Sequence, residues 1–399
     1  MVGDLCAMNR ETEKEGRAMK RTKCLLALMM TVFAGFFFTA QLHAKEPIKI
    51  GVIQPLTGSV AYDGQSWVHG AQIAEREINA VGGVLGRPIK LFIEDGRCNP
   101  AASVSAAEKL ITSEKVPVIA GSFCSSATKA VMPVAERNRI PLVTGVSSAP
   151  DLTKVLHPYF FRACPEESMY SPTFANHMVK KMGLKTLVSI AVNDDWGRGT
   201  TETMVHEFTS IGGKVLEELY FEHGETDYSP FLTKIKAMNP DAVFLAAETQ
   251  DGSMLVRQYR QLGLKSVLTA VGSLATGTFI KLAGDAANGI YVIAPYSYTA
   301  ETPGNARFVN AYRKEAKEDP GKYSLAGYDV THIIAEAIGR AGSTDPNEIR
   351  NALEKTDYVG VVGWYEFDNK HQVHVPLFLV QIQGGIPKVV QVIPTMRTE

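Results

Sequence analysis

The chain has 399 residues, 45% of them hydrophobic, with 41 basic against 42 acidic side chains. That apolar content is enough to bury sizeable cores, which excludes a disordered or fibrous chain and points to two globular domains. With no basic stripe or block of like charge, nucleic acid is excluded as an expected partner.

Taken in order, Lys20-Arg-Thr-Lys23 precedes the apolar run from Cys24 to Ala40, and Gln41-Leu-His-Ala44 ends in a small residue. This order describes a secretory signal peptide within a leader of residues 1–44, with Met19 as the true start. Because the run is about long enough to span a membrane, an uncleaved anchor is the alternative. The leader holds six basic and four acidic residues, so the remainder carries a net charge near −3. Cys6 and Cys24 leave with it, and Cys98, Cys124 and Cys164 remain. In an exported protein three cysteines imply one disulfide and one thiol.

Ile48 to Gln54 reads as the first strand, and Pro55 to Gly64 as a long turn into a helix whose Val68, Ala71, Ala74, Ile78 and Val81 recur at helical spacing. Gly82, Gly83 and Gly86 follow a helix and precede Pro88, the reverse of a dinucleotide fingerprint. Ile89 to Asp95 is a second strand, and Asn99-Pro100 opens a helix reaching Glu114. Val116 to Ala120, apolar on both faces, then reads as a central strand of a parallel sheet. At its carboxyl end Ser122, Ser125 and Ser126 place hydroxyls and orphan N–H groups at a helix start, which favours a negative group. Ile140 to Thr144 repeats the device, with Ser147 and Ser148 in the following turn. Open parallel sheets bind ligands outside the carboxyl ends of their strands. Two adjacent Ser-rich turns therefore suit a small carboxylate, although each serine alone is equally an N-cap or turn residue.

After Tyr159 to Arg162 a new alternation begins: helix Met169 to Met182, strand Thr186 to Val192, helix Thr200 to Ile211 and strand Lys214 to Tyr220. It continues through helix Tyr228 to Met238, strand Ala242 to Ala247, helix Ser253 to Leu262, and strands Ser266 to Val271 and Ile290 to Ala294. Two successive β-α series predict an α/β protein of two doubly wound domains. The tail offers helices at Arg307 to Lys317, Ser324 to Gly339 and Asn347 to Lys355, then strands at Trp364 to Phe367, Val375 to Ile382 and Lys388 to Val392. Such a tail is expected to finish the first domain and then cross to the second. No nucleophile elbow, P-loop or His-Glu-x-x-His pattern is present, and His371 with His374 is weak as a metal site, so an enzyme, a cofactor and a metal are not expected.

Several stretches together carry a resemblance: Lys49-Ile-Gly-Val-Ile-Gln-Pro-Leu-Thr-Gly58, Gly70-Ala71 with Ile78-Asn-Ala-Val-Gly-Gly83, Cys98, Phe123-Cys-Ser-Ser126, and Ala149-Pro-Asp-Leu-Thr153. Over about residues 47 to 395 the sequence resembles the periplasmic binding proteins for leucine, isoleucine and valine that serve ATP-driven (ABC) importers. The resemblance implies two Rossmann-like lobes of the type I fold, joined by three hinge crossovers near Pro165, Pro295 and Glu366. The lobes would be residues 45–165 with 296–366, and 166–295 with 367–399. It further implies a monomer in the periplasm that captures a small amino acid, apolar or branched-chain, and delivers it to membrane permease subunits. A ligand sensor on the same fold is the rival role.

The same resemblance implies a Cys98–Cys124 disulfide, leaving Cys164 without a partner. It also implies that Ser125 and the Val146-Ser147-Ser148 turn, beside Ser126, hold the ligand carboxylate, that Trp196 closes over the ligand, and that Tyr62 and Tyr328 contribute aromatic contacts. Ordinary core or surface packing is the alternative reading of the three aromatic residues. One departure concerns the ammonium group: where the family places a Glu after the strand ending at Val271, this chain has Gly272, and Glu248 is the nearest substitute. The expected ligand is therefore an amino acid held through Glu248 or, as the alternative, a carboxylate without an amine, such as an aromatic acid.

Overall fold

In the computed structural model of the protein, residues 46–394 are described. The expected leader lies outside them, and among them no helix is long and apolar enough to cross a membrane.

Two sheets organise the chain from Pro47 onward. The first has five parallel strands in the order β2-β1-β3-β4-β5: β1 (Ile48–Gln54), β2 (Ile89–Asp95), β3 (Ile119–Ala120), β4 (Leu142–Thr144) and β5 (Phe160–Arg162). Between them run α1 (Ala61–Ala80), α2 (Pro100–Thr112) and α3 (Ser125–Asn138). The β1 residues Ile50, Val52 and Ile53, which include side chains of both faces, are fully buried, as expected for a strand covered on both sides. β3 is shorter than its apolar run because Pro117 has no N–H to give the ladder.

After β5, α4 (Glu167–Asn176) leads into the second series: β6 (Thr186–Val192), α5 (Asp195–Ser210), β7 (Lys214–Phe221), α6 (Ser229–Met238), β8 (Ala242–Ala246), α7 (Thr249–Gln261), β9 (Val267–Val271), α8 (Gly277–Ala283) and β10 (Tyr291–Ala294). Its strands β10-β9-β8-β6-β7 are parallel.

The tail divides between the two sheets' surroundings. α9 (Asn305–Ala316) and α10 (Lys322–Ala341) pack on α1, and α11 (Pro346–Leu353) packs on α10. Contact between α1 and α10 is close because both crossing points are glycine: a Cβ on Gly70 would lie 1.8 Å from the Ser324 carbonyl oxygen, and one on Gly327 2.0 Å from that of Trp67. This sets the amino end of α10 over the crevice at the strand ends. A two-stranded ribbon of β11 (Tyr358–Val359) and β12 (Trp364–Tyr365) follows. The chain then adds β13 (Leu377–Gln383) and β14 (Ile386–Ile393) to the second sheet, antiparallel to β10 and to each other.

The segments that leave β5 and that enter β13 run side by side. The Arg162 N–H donates to the His371 carbonyl at 2.9 Å, and the Val373 N–H to that of Arg162 at 3.1 Å. The fully buried Arg162 guanidinium also bonds Gln372, Thr153, the Ala149 carbonyl and Glu166. Two of the connections between the sheets are thereby tied together.

Candidate functional site

A small cavity lies between the strand ends of the two sheets. From the first come Phe123, Cys124 and Ser125 at the amino end of α3, and Val146 in the turn after β4. From the second come Asp194 and Trp196 at the start of α5 and Glu248 at the start of α7, while Lys322 and Tyr323 enter from the amino end of α10. The space between these residues is about 20 Å³, room for a single water and too small for an amino acid with the walls as they stand. Wider grooves of about 540 and 640 Å³ lie elsewhere, lined mainly by charged or half-exposed side chains.

The Ser-rich turns sit where strand-end reasoning places them, but their hydroxyls differ in availability. Ser147 Oγ donates to the Phe123 carbonyl at 2.8 Å and lies 3.2 Å from that of Ser122. Ser148 Oγ donates to Glu167 Oε1 at 2.7 Å. Ser125 Oγ accepts from the Ala149 N–H at 3.2 Å, which knits the two turns together and leaves its own proton for a ligand. Ser126 is half-buried on α3 and does not line the cavity. Cys124, next to Ser125, is bonded to Cys98 with 5.3 Å between their Cα atoms, which anchors the start of α3 to the turn before α2. Cys164 is a buried free thiol, its pKa pushed up to about 12 by burial.

Trp196 is held rather than loose. Its indole N–H donates to Glu167 Oε1 at 2.8 Å, the same oxygen that receives Ser148, so a buried carboxylate joins the β4 turn, α4 and α5. Burial raises the Glu167 pKa, and the charge of Lys322 and these two hydrogen bonds act against that rise.

The acidic wall is built from helix starts. Asp194 caps α5 by accepting from the Gly197 N–H at 2.8 Å, and its other oxygen lies 3.1 Å from His223 Nε2. Burial by itself would lower the His223 pKa, but Asp194, Asp251 and Glu248 overcome it and push it up to about 11. Ligand atoms of Asp194, His223 and Glu248 lie within 4.8 Å of one another, a grouping in which the imidazole is already engaged with Asp194. From the other sheet's side, Asp63 Oδ2 on α1 accepts the Thr249 N–H at 3.1 Å, capping α7 across the crevice.

Glu248 is 5% exposed, and its Oε2 has no hydrogen-bond partner. Burial pushes its pKa up to about 8; the His223 charge opposes the rise, and Asp194, Asp251 and Asp63 add to it. A buried polar atom left unpaired costs free energy unless something arrives to satisfy it. A cationic group in the cavity would do so.

Two predicted aromatic contacts are not brought to the cavity. Tyr62 is 53% exposed, and its neighbour Asp63 faces the crevice instead. Tyr328 turns its hydroxyl to Glu77 Oε2 at 2.7 Å and packs its ring on Phe308 and His332. Tyr323, five residues earlier and so about 140° away around the helix, lines the cavity with its ring 4.9 Å from that of Phe123. His371 and His374 are engaged separately, with Glu354 and Asp368.

Residues 47–386 match the family model described as "Periplasmic binding protein". The chain belongs to the periplasmic binding protein family. Among the family's characterised members, the leucine-, isoleucine-, valine-, threonine- and alanine-binding protein of Pseudomonas aeruginosa is 25% identical over 352 residues, 88% of this chain and 94% of that one. Among solved structures, the branched-chain amino acid transporter substrate binding protein LivJ from Streptococcus pneumoniae, in complex with isoleucine, superposes with a TM-score of 0.81 at 28% identity. That match covers 88% of this family member and 99% of LivJ. A Rhodopseudomonas palustris solute-binding protein in complex with benzoate superposes with a TM-score of 0.83 at 21% identity, covering 88% and 98% of the two chains, a likeness of fold alone.

Proposed function

We propose that this periplasmic binding protein captures a small amino acid with an apolar side chain between its two lobes and delivers it to the permease of an ABC importer. The observation that carries the reading is the buried, unpartnered Oε2 of Glu248, a residue that lines the same cavity as Ser125 and the amino end of α3. A zwitterion satisfies both ends: its carboxylate meets the helix start and the Ser125 proton, and its ammonium meets Glu248. Trp196, fixed by Glu167, closes the apolar side. The amino-acid-binding relatives support the same assignment. The protein acts as a monomer in the periplasm by binding and release, without catalysis. Its lobes, residues 45–165 with 296–366 and 166–295 with 367–399, close about crossovers near Pro165, Pro295 and Glu366.

Calorimetric titration of ligand-stripped protein with leucine and with its deaminated acid tests this. Glu248→Gln should remove a charge-assisted hydrogen bond, weakening leucine by about 10- to 150-fold and sparing the acid, whereas Ser125→Ala should weaken both. If wild type binds the acid as well as leucine and Glu248→Gln changes neither, the ammonium site is wrong. An amine-free carboxylate, aromatic or aliphatic, is then the ligand, a reading favoured by Gly272 standing where the family resemblance puts an ammonium-binding Glu.

A further inference from the structure

The serines that mark the carboxylate site supply fewer free donors than their number promises. Ser147 and Ser148 spend their hydroxyl protons on Phe123 and Glu167. The Val146 and Ser147 N–H groups point at Thr144 Oγ1, at 3.3 and 3.2 Å. What remains for an incoming carboxylate is the Ser125 proton and the first-turn N–H groups of α3, none of which bears a full charge.

A full positive charge stands in the same cavity. Lys322 is the first residue of α10, half-buried, with its Nζ 4.9 Å from the Tyr323 ring centre and 5.8 Å from that of Trp196. Among the described residues no carboxylate oxygen comes within the 4.0 Å of an ion pair with it. A cation is disfavoured at a helix start by the dipole, and the buried carboxylates that feel the Lys322 charge, Glu167 and Asp63, make no ion pair with it, so helix formation and a direct ion pair do not account for a lysine there. Space for its stem comes from Gly272: a Cβ at that position would lie 3.2 Å from Lys322 Cδ and 3.0 Å from Ala294 Cβ. Glu248 Oε2, without a hydrogen-bond partner, belongs to the same cavity lining, so the cavity offers one ammonium and one carboxyl oxygen that no direct partner satisfies.

We propose that Lys322 is the counter-ion of the ligand's carboxylate, acting with Ser125 and the amino end of α3, and that it makes the site select carboxylates over their amides. This rests on the carboxylate reading given above, and holds whether or not the ligand carries an amine. Gly272 is then a specificity position, because a side chain there would crowd the lysine stem.

The test is titration of wild type, Lys322→Met and Lys322→Arg with two pairs of probes: leucine against leucinamide, and 4-methylpentanoate against its amide. Wild type should prefer the acid of whichever pair it binds. Lys322→Met should weaken that acid by about tenfold or more, the loss expected for one charge-assisted contact, and leave its amide nearly unchanged, so that the preference collapses. Lys322→Arg should keep most of it, which separates charge from packing. An unchanged acid-to-amide ratio in Lys322→Met, or equal weakening of acid and amide, overturns the proposal while leaving the binding function in place. Failure of wild type to bind either acid, with benzoate also unbound, instead overturns the carboxylate reading itself, and the Lys322 assignment with it.

Discussion

Replacing Glu248 by glutamine should flatten the fall of stability with rising pH in the ligand-free protein. Burial holds the Glu248 carboxyl up to about 8, from an ordinary value of 4.5. A group whose folded pKa is raised contributes stability that is fully present below its unfolded pKa and is lost as pH rises through the folded one, because the folded state keeps a proton that the unfolded state has released. The window therefore runs from about pH 4.5 to about pH 8. At about 1.4 kcal/mol per pKa unit, the ceiling on the loss is about 5 kcal/mol. Asp63, Asp329 and His223, raised to about 6, about 7 and about 11, slope the profile in the same direction, and because Glu248 interacts with His223 and Asp63 the difference between wild type and variant reports Glu248 together with its coupling to those two groups. Urea unfolding across that pH range is the assay. Wild type should lose at least about 2 kcal/mol more than Glu248→Gln between the ends of the window. Parallel profiles would refute the reasoning, since they would mean that Glu248 is solvated in the folded protein.

Four further outcomes are expected. Trp196→Phe removes the indole donor to the buried Glu167 and should cost about 1–3 kcal/mol in denaturant unfolding; a stability within error of wild type would show that Glu167 does not depend on that bond. Thiol titration of mature protein should find no reactive group when native, because Cys164 is buried, and one after unreduced denaturation. Reducing the Cys98–Cys124 bridge, which spans 26 residues, should lower stability by about 3.5 kcal/mol in the chain-entropy account, and three thiols before reduction would rule the bridge out. Intact-mass analysis of periplasmic protein should give a chain starting close to Lys45, and retention of residues 24–40 in a membrane fraction would contradict the leader reading.

The architecture was legible because buried parallel strands write themselves as apolar runs and the helices between them keep a helical period. β6, β8 and β9 fall within a residue of their expected bounds. Where bounds moved, a local group explains it: Pro117 shortens β3, and the Asp194 cap starts α5 at Asp195 rather than Thr200. The site was legible in part. Ser125, Val146, Trp196 and Glu248 sit next to turns or helix starts, which strand-end geometry marks in the sequence. Spacing says nothing of where a hydroxyl points, and Ser147 and Ser148 turn theirs into the protein. Nor does it say which face of a helix meets the crevice. For α1 and α10 that face is set by the Gly70–Gly327 crossing, which brings in Asp63 and Tyr323 in place of Tyr62 and Tyr328. Glu167 and Lys322 matter through partners far away in sequence. The one local hint was a lysine at a helix start, where the dipole disfavours it.

A crystal structure of the protein grown with leucine tests the central claim most directly. The account predicts leucine between the two sheets, its carboxylate at Ser125 and the amino end of α3 within reach of Lys322, and its ammonium hydrogen-bonded to Glu248 Oε2. Leucine bound outside this cavity, or inside it with the ammonium turned away from Glu248, would contradict the account.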